Sequence, residues 1–412
     1  MDRGVVIAGS GQAGFQAAAS LRTSGYDGPI TLVGEEIHLP YQRPPLSKGF
    51  LTGKQQAHHV TLRPAAFYAD HRIELVAGER IVEIDRTRDE VKLSSGASIS
   101  YGKLILALGA SIRKLPVAGA ELDGVCYLRT LDDSIEIKSR LAEASGIAVI
   151  GGGFIGLEIA SAARALGKSV MVLETQPRLM ARAVSPIVSG FYERLHRNHE
   201  VGLVFNARVS EISGEQIGAG RRVREIVLSD GTRIPADLVI AGIGVIPNSE
   251  LARSAGLAVS NGIAVDEYLR TGDENIYAIG DCAEHPNHLT GERVRIESVQ
   301  NAVDQAACVA AAIAGDAKPY REVPWFWTDQ HNVKLQMAGL CTAHDRAAVR
   351  GNVESGKFSV FYFRDERLVA IDSINRPSDH MTGRRLLAGR TPLSPDQAAD
   401  ESVNLKALAQ TS

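Results

Sequence analysis

Twice along the chain an apolar strand runs straight into Gly-x-Gly-x-x-Gly and then into a helix, an order that few folds accommodate. The first copy is Val5-Val6-Ile7-Ala8-Gly9-Ser10-Gly11-Gln12-Ala13-Gly14 and the second is Val149-Ile150-Gly151-Gly152-Gly153-Phe154-Ile155-Gly156. Small residues let the backbone turn at the first glycine, approach a pyrophosphate at the second and pack helix on strand at the third. The helix N-terminus then offers unpaired N–H groups to the phosphates. About 20 residues beyond each motif a further strand ends in an acid, Glu35 and Glu174, where a ribose hydroxyl needs an acceptor. The expected fold class is α/β, with two Rossmann-like dinucleotide-binding domains.

The elements that follow the two motifs share one order, which reads as an internal duplication. Residues 73–99 alternate as short strands, an antiparallel meander, before the buried strand 104–108. A second meander runs from Val204 to the turn Ser229-Asp230-Gly231, before the strand 238–241. From about Val323 the character changes. Aromatics cluster at Trp325-Phe326-Trp327, and strands over 334–338, 347–352, 358–364 and 368–374 predict an antiparallel sheet capped by a helix after Pro377. The expected domains are 1–113 with 243–320, then 114–242, then a C-terminal α+β domain over 321–412.

Three segments carry chemistry with two readings each. Paired prolines in Pro40-Tyr41-Gln42-Arg43-Pro44-Pro45-Leu46-Ser47-Lys48 predict a rigid loop rather than a helix. Its Arg43 and Lys48 either hold cations near an anion or electron-rich ring, or belong to a solvated surface. Asp281 ends the short strand Asn275-Ile276-Tyr277-Ala278-Ile279-Gly280, at the sheet end where α/β folds bind ligands. It either accepts hydrogen bonds from a polyol or N-caps a helix. The tryptophans are either core or cofactor contacts. Glu174 repels a 2′-phosphate and so favours NADH, while Arg178 keeps NADPH open.

Composition removes other classes. A chain of 412 residues suggests two or three domains. No apolar run approaches the ~18–20 residues that span a bilayer, so no membrane insertion is expected. The first strand begins at Val5, leaving no room for a secretory signal and predicting a cytoplasmic protein. A net charge of -3 lacks the field of a nucleic-acid binder. Cys126, Cys282, Cys308 and Cys341 have no zinc or Cys-x-x-Cys spacing and read as buried, reduced thiols.

Taken together, the two motifs with their acids, Ile279-Gly280-Asp281 and the C-terminal domain resemble the glutathione-reductase-like flavoproteins, which implies FAD on the first unit and NADH on the second. Disulfide reductases of that superfamily carry paired cysteines after the first acid. Here Arg43-Pro44-Pro45-Leu46-Ser47-Lys48 holds none, which excludes a dithiol mechanism. That stretch, Arg295-Ile296-Glu297-Ser298-Val299-Gln300-Asn301-Ala302 and Trp325-Phe326-Trp327-Thr328-Asp329-Gln330 are similar to the NADH-dependent ferredoxin reductases of bacterial cytochrome P450 and ring-hydroxylating dioxygenase systems.

The resemblance implies electron transfer from NADH through FAD to a [2Fe–2S] ferredoxin. It implies cofactor contacts at Gly9, Gly11, Gly14, Glu35, Arg43, Lys48, Arg129, Asp281 and Val299, and at Gly151, Gly153, Gly156, Glu174 and Gly244. It also implies an ion pair of Lys48 with Glu158 near flavin N5, and Trp327 at the flavin edge on the exit route. Arg293, Arg295 and Lys334 are candidates for a basic patch facing an acidic ferredoxin. Leu108 departs from the usual threonine of Ala-Thr-Gly and loses one hydroxyl. The competing readings are a rubredoxin reductase, an NADH oxidase, and a binding or signalling flavoprotein of the apoptosis-inducing-factor branch. Oxidases commonly use a cysteine near the flavin, and none follows the first unit; the last branch tends to carry targeting segments and insertions.

Overall fold

Each Gly-x-Gly-x-x-Gly motif follows the middle strand of a five-stranded parallel sheet. The computed structural model describes residues 3–218, 220–342 and 344–410. These form two units. One comprises Met1–Gln42, Val60–Ser111 and Ile246–Phe326, and the other Arg43–His59, Ile112–Val245 and Trp327–Ser412.

In the first unit the sheet order is Ile276–Ala278, Lys103–Leu106, Val5–Ala8, Ile30–Gly34, Ile73–Ala77, every neighbour parallel. All of Val5–Ala8 and Ile30–Gly34 is buried, as expected of strands covered on both faces. The helices Gln12–Thr23 and Val299–Ile313 pack on each other, and their buried faces are rich in alanine. Gly280 passes so close to this pair that an added Cβ would meet Ala13 at 3.0 Å. The meander begins later than its alternation suggests. Ile73–Ala77 is the parallel edge strand, and the antiparallel sheet is Ile81–Asp85, Glu90–Leu93, Ser98–Ser100. A half-covered parallel edge strand alternates just as a meander strand does, so periodicity does not separate them.

In the second unit the parallel order is Val201–Val204, Ser169–Leu173, Gly146–Ile150, Leu238–Ala241, Val125–Tyr127. Val201–Val204 is again an edge strand rather than the start of the meander, which is Val209–Ile217, Gly220–Leu228, Arg233–Pro235. The C-terminal antiparallel sheet has the order Trp325–Gln330, Val333–Gly339, Arg367–Ile374, Lys357–Arg364, Arg346–Asn352, with the helix Pro377–Gly389 after it. The aromatic cluster thus opens a strand that alternation did not reveal. Ile147, Leu157 and Phe191 share one core with Leu335, Phe358 and Tyr362, so this sheet packs on the second dinucleotide fold.

Candidate functional site

The two glycine loops are shaped alike. Gly9 and Gly151 both have φ of +111°, a left-handed conformation open to glycine. A Cβ on Gly14 would lie 1.8 Å from the Gly9 carbonyl oxygen, and one on Gly156 would lie 2.1 Å from that of Gly151. Gly11 and Gly153, by contrast, face no heavy atom within 4 Å. They are also the N-caps of Gln12–Thr23 and Phe154–Ala165, and neither helix end has a side-chain cap. Thr130, Ser185 and Ser298 do cap Leu131–Glu143, Pro186–Asn198 and Val299–Ile313. Open space, a helix start without a side-chain cap and the positive end of the helix dipole coincide at two glycines, which is the setting a pyrophosphate needs.

The acids differ. Glu35 follows Ile30–Gly34 and is exposed. Glu174 is fastened to its glycine loop: Oε2 accepts the Gly152 N–H at 2.6 Å and Oε1 the Gln176 N–H at 2.7 Å. Arg178, the cation that left NADPH open, donates to the Val184 and Ala181 carbonyls and to Ser189 Oγ, each within 2.8 Å. Its guanidinium is taken up in holding a local turn.

The Lys48–Glu158 ion pair assembles in the second unit. Pro44 and Pro45 do not keep the chain extended; Pro44–Ser47 is one turn of 3-10 helix with proline in its first turn, where a missing N–H is harmless. Ser134 Oγ anchors this turn by donating to the Leu46 carbonyl at 2.8 Å, and the Arg43 guanidinium donates to the Arg129 carbonyl. Lys48 leaves the turn with Nζ 2.8 Å from Glu158 Oε2. Ser47 Oγ donates to the same oxygen at 2.5 Å and Thr328 Oγ1 donates to Oε1 at 2.6 Å. The Glu158 side chain is 1% exposed and that of Lys48 is 21% exposed. A carboxylate so buried costs several kcal/mol unless paired and hydrogen-bonded, and here three donors meet it. Beside the pair opens a cavity of 590 Å³, lined among others by Lys48, Glu158, Ser161, Arg164, His199 and His331.

The remaining predicted residues are distributed as follows. Trp327 is half-buried, next to Thr328 on the strand Trp325–Gln330. Arg129 donates its N–H to Asp133 at the start of Leu131–Glu143, and Gly244, at φ +108°, faces open space. In the first unit Asp281 sits in the short 3-10 turn Gly280–Cys282, and Val299 opens its helix behind Ser298. Arg293 is engaged with Glu284 and the Val265 carbonyl, and Arg295 with Glu297 and the Asp281 carbonyl. Lys334 lies 3.5 Å from Asp329 and stays half exposed. The structure therefore joins Lys48 with Glu158, and adds Ser47 and Thr328, to which the sequence reading gave no role. No local sequence pattern marks either hydroxyl; Thr328 is set apart only by its burial, alternating with half-buried Trp327 and Asp329 along the strand.

Thiol chemistry has no footing here. All four cysteines are free, and burial pushes Cys126, Cys282 and Cys308 up to about 11 and Cys341 up to about 12.

Residues 3–306 match the family described as pyridine nucleotide-disulphide oxidoreductase, and residues 325–409 match the reductase C-terminal family. The chain belongs to the pyridine nucleotide-disulphide oxidoreductases. Within that family it is 51% identical over 402 residues to rhodocoxin reductase of Rhodococcus erythropolis, covering 98% of this chain and 93% of the relative. The crystal structure of the ferredoxin reductase for the CYP199A2 system from Rhodopseudomonas palustris matches with a TM-score of 0.96 at 47% identity, covering 99% of this chain and 100% of that one. The reductase in a covalent putidaredoxin reductase–putidaredoxin complex matches at 0.94 and 42%, covering 99% and 98%. This oxidoreductase keeps the family's two dinucleotide loops and, among the described residues, forms no disulfide near the first of them.

Proposed function

We propose that this flavoprotein carries electrons from NADH through FAD to a [2Fe–2S] ferredoxin that supplies a cytochrome P450 or a similar oxygenase. The observation that carries the reading is the Lys48–Glu158 pair, with Glu158 on the helix whose uncapped end forms the second glycine cradle, while the four thiols are held protonated by burial. The named relatives support it, since they are a rhodocoxin reductase, a ferredoxin reductase for the CYP199A2 system and a putidaredoxin reductase in complex with putidaredoxin. When bound, FAD takes up a hydride from NADH and releases the electrons one at a time.

The chain's own part is to bind, orient and set charge. Gly9, Gly11 and Gly14 hold the FAD pyrophosphate, with Glu35 on its ribose and Arg43, Arg129, Asp281 and Val299 as further contacts. Gly151, Gly153 and Gly156 hold the NADH pyrophosphate, Glu174 accepts from the adenosine ribose, and Gly244 gives the ligand room. Lys48 supplies positive charge where the flavin gains electrons, and Glu158 fixes that lysine on the nicotinamide side. Trp327 marks the exit edge. On this assignment residues 1–113 with 243–320 form the FAD domain, 114–242 the NADH domain and 321–412 the C-terminal domain. Among the described residues no helix is long and apolar enough to cross a membrane, and four free thiols suit a reducing compartment, so we place the protein in the cytoplasm.

The test is stopped-flow reduction of the yellow protein by NADH and by NADPH, followed by cytochrome c reduction with and without a [2Fe–2S] ferredoxin. Fast bleaching with NADH and a ferredoxin-dependent rise in the cytochrome c rate are expected. A preparation without FAD, or a rate indifferent to ferredoxin, refutes the reading; stimulation by rubredoxin instead points to the rubredoxin reductases.

A further inference from the structure

Glu158 is the end of a longer polar chain buried in the second unit. Thr328 Oγ1 donates to Glu158 Oε1 at 2.6 Å, Gln330 Nε2 donates to Thr328 Oγ1 at 3.2 Å, Gln330 Oε1 lies 2.8 Å from His196 Nε2, and His196 Nδ1 lies 3.3 Å from His331 Nε2. We propose that Thr328, Gln330 and His196 are positioning residues for the reaction, a one-way series of hydrogen-bond donors that holds the Glu158 carboxylate in register with Lys48. The inference rests on the reading of Glu158 as the carboxylate on the nicotinamide side.

The direction of the series follows from its end. An ionised carboxylate only accepts, so Thr328 spends its one proton on Glu158 and its oxygen must accept from an amide N–H. That orients Gln330 with Nε2 toward Thr328 and Oε1 toward His196. The amide oxygen only accepts, so His196 carries its proton on Nε2 and accepts at Nδ1 from His331 Nε2–H. One fixed charge thus sets one amide orientation and two tautomers.

Burial argues for a task beyond stability. Thr328, Gln330 and His196 are each 0% exposed, and a core of apolar side chains of similar volume would avoid their desolvation. Burial, together with the charge of neighbouring imidazoles, holds His196 down to about 4 and His331 down to about 3, so both stay neutral and keep their tautomers through the working range. His331 is fixed from both sides. Its ring stacks on His199 with centroids 3.8 Å apart, and its backbone N–H donates at 2.6 Å to Ser161 Oγ, three residues along the helix from Glu158. The strand bearing Trp327 is thereby pinned to one helix at two successive turns.

The test compares Thr328→Val, which deletes the hydroxyl at constant shape, with Thr328→Ser, which keeps it, in the FAD-loaded enzyme. Thr328→Val should slow flavin reduction by NADH about tenfold while the KM for NADH changes less than about twofold, and Thr328→Ser should stay within about twofold of the parent. A second readout needs no turnover: nitrogen-15 spectra of histidine-labelled protein should show His196 protonated on Nε2 in the parent, and a mixture of tautomers once Thr328→Val frees the Gln330 amide. Should Thr328→Val not fold, Gln330→Met is read in the same way. Equal rates for the valine and serine variants, or His196 protonated on Nδ1 in the parent, overturns the proposal. Glu158→Gln keeps the two readings apart: if it leaves reduction unaffected, the role of Glu158 itself falls, whereas a slow Glu158→Gln beside a normal Thr328→Val removes only the positioning chain.

Discussion

Replacing Lys48 by Met should destabilise the fold more than replacing Glu158 by Gln, although the two residues share one ion pair. At 2.8 Å the Coulomb attraction of two unit charges is about 6 kcal/mol for an effective dielectric constant of about 20, before desolvation is subtracted. Truncating one partner of a buried pair typically costs about 3–5 kcal/mol, because the survivor is left as an uncompensated charge. Glu158, 1% exposed, is the charge left behind in Lys48→Met, and Ser47 and Thr328 still donate to it, which points to about 3 kcal/mol, the lower end of that range. Glu158→Gln leaves instead a lysine that is 21% exposed and can turn its ammonium to water, so about 1 kcal/mol is expected. The double variant should be less destabilised than the sum of the singles by about 2 kcal/mol. The assay is urea unfolding of parent, singles and double at neutral pH and constant excess FAD, because ligand occupancy adds to apparent stability. Additive singles, or a Glu158→Gln variant as unstable as Lys48→Met, would refute the reasoning.

Asp372, 2% exposed and bound by the Tyr362 hydroxyl at 2.6 Å, is pushed up to about 7 by burial. A folded-state value above the unfolded one contributes stability that is lost as pH rises through about 7, whereas the buried histidines His196, His285 and His380, held down to about 4, act in the opposite sense below about pH 6.5. Asp372→Asn should therefore gain on the parent from about pH 4 to about pH 7, by at most about 4 kcal/mol, and no further above that, in thermal melts; a constant offset between the two would count against it. Gly14→Ala places a Cβ where only 1.8 Å is free, so the purified variant should be colourless, and full flavin content would contradict the close-packing argument. Glu174→Ala removes both the ribose acceptor and the clamp on the Gly152 N–H, and should narrow the NADH to NADPH ratio of kcat/KM by about tenfold; an unaltered ratio removes its assigned role.

What the chain order revealed and what it hid divide along sequence distance. Both parallel sheets and their glycine loops were readable because strand, turn and helix lie within a few residues of each other. The edge strand Ile73–Ala77, and Val204 at the end of the edge strand Val201–Val204, were read as meander because alternation describes half-cover, not the direction of the neighbour. The Pro-Pro segment was read as a rigid loop rather than a helix because proline fixes φ, which a first helical turn uses equally well. Nor does composition show that Arg43–His59 belongs with the second unit, where Leu51 joins its core. The donors to Glu158 are the clearest case. Ser47 lies 111 residues away and Thr328 lies 170, so no local pattern couples them, and each taken singly is an unremarkable hydroxyl.

The placing of Glu158 explains why so many donors converge on it. It is five residues beyond Gly153, a rise of about 7.5 Å along the helix, past the first turn where the dipole would favour a carboxylate. Its charge must then be stabilised by side chains, and helix Phe154–Ala165 itself supplies none: Ser47 and Lys48 come from the Pro44–Ser47 turn and Thr328 from the C-terminal sheet. One helix thus carries the uncapped glycine cradle at its end and the charged partner of Lys48 about one and a half turns on. On the proposed assignment, a nicotinamide dinucleotide anchored at Gly153 would meet a carboxylate whose distance is set by helix geometry and whose orientation is set by two other segments. Changing the C-terminal strand should therefore alter the chemistry without altering cofactor affinity, a separation that a site built on one loop would not permit.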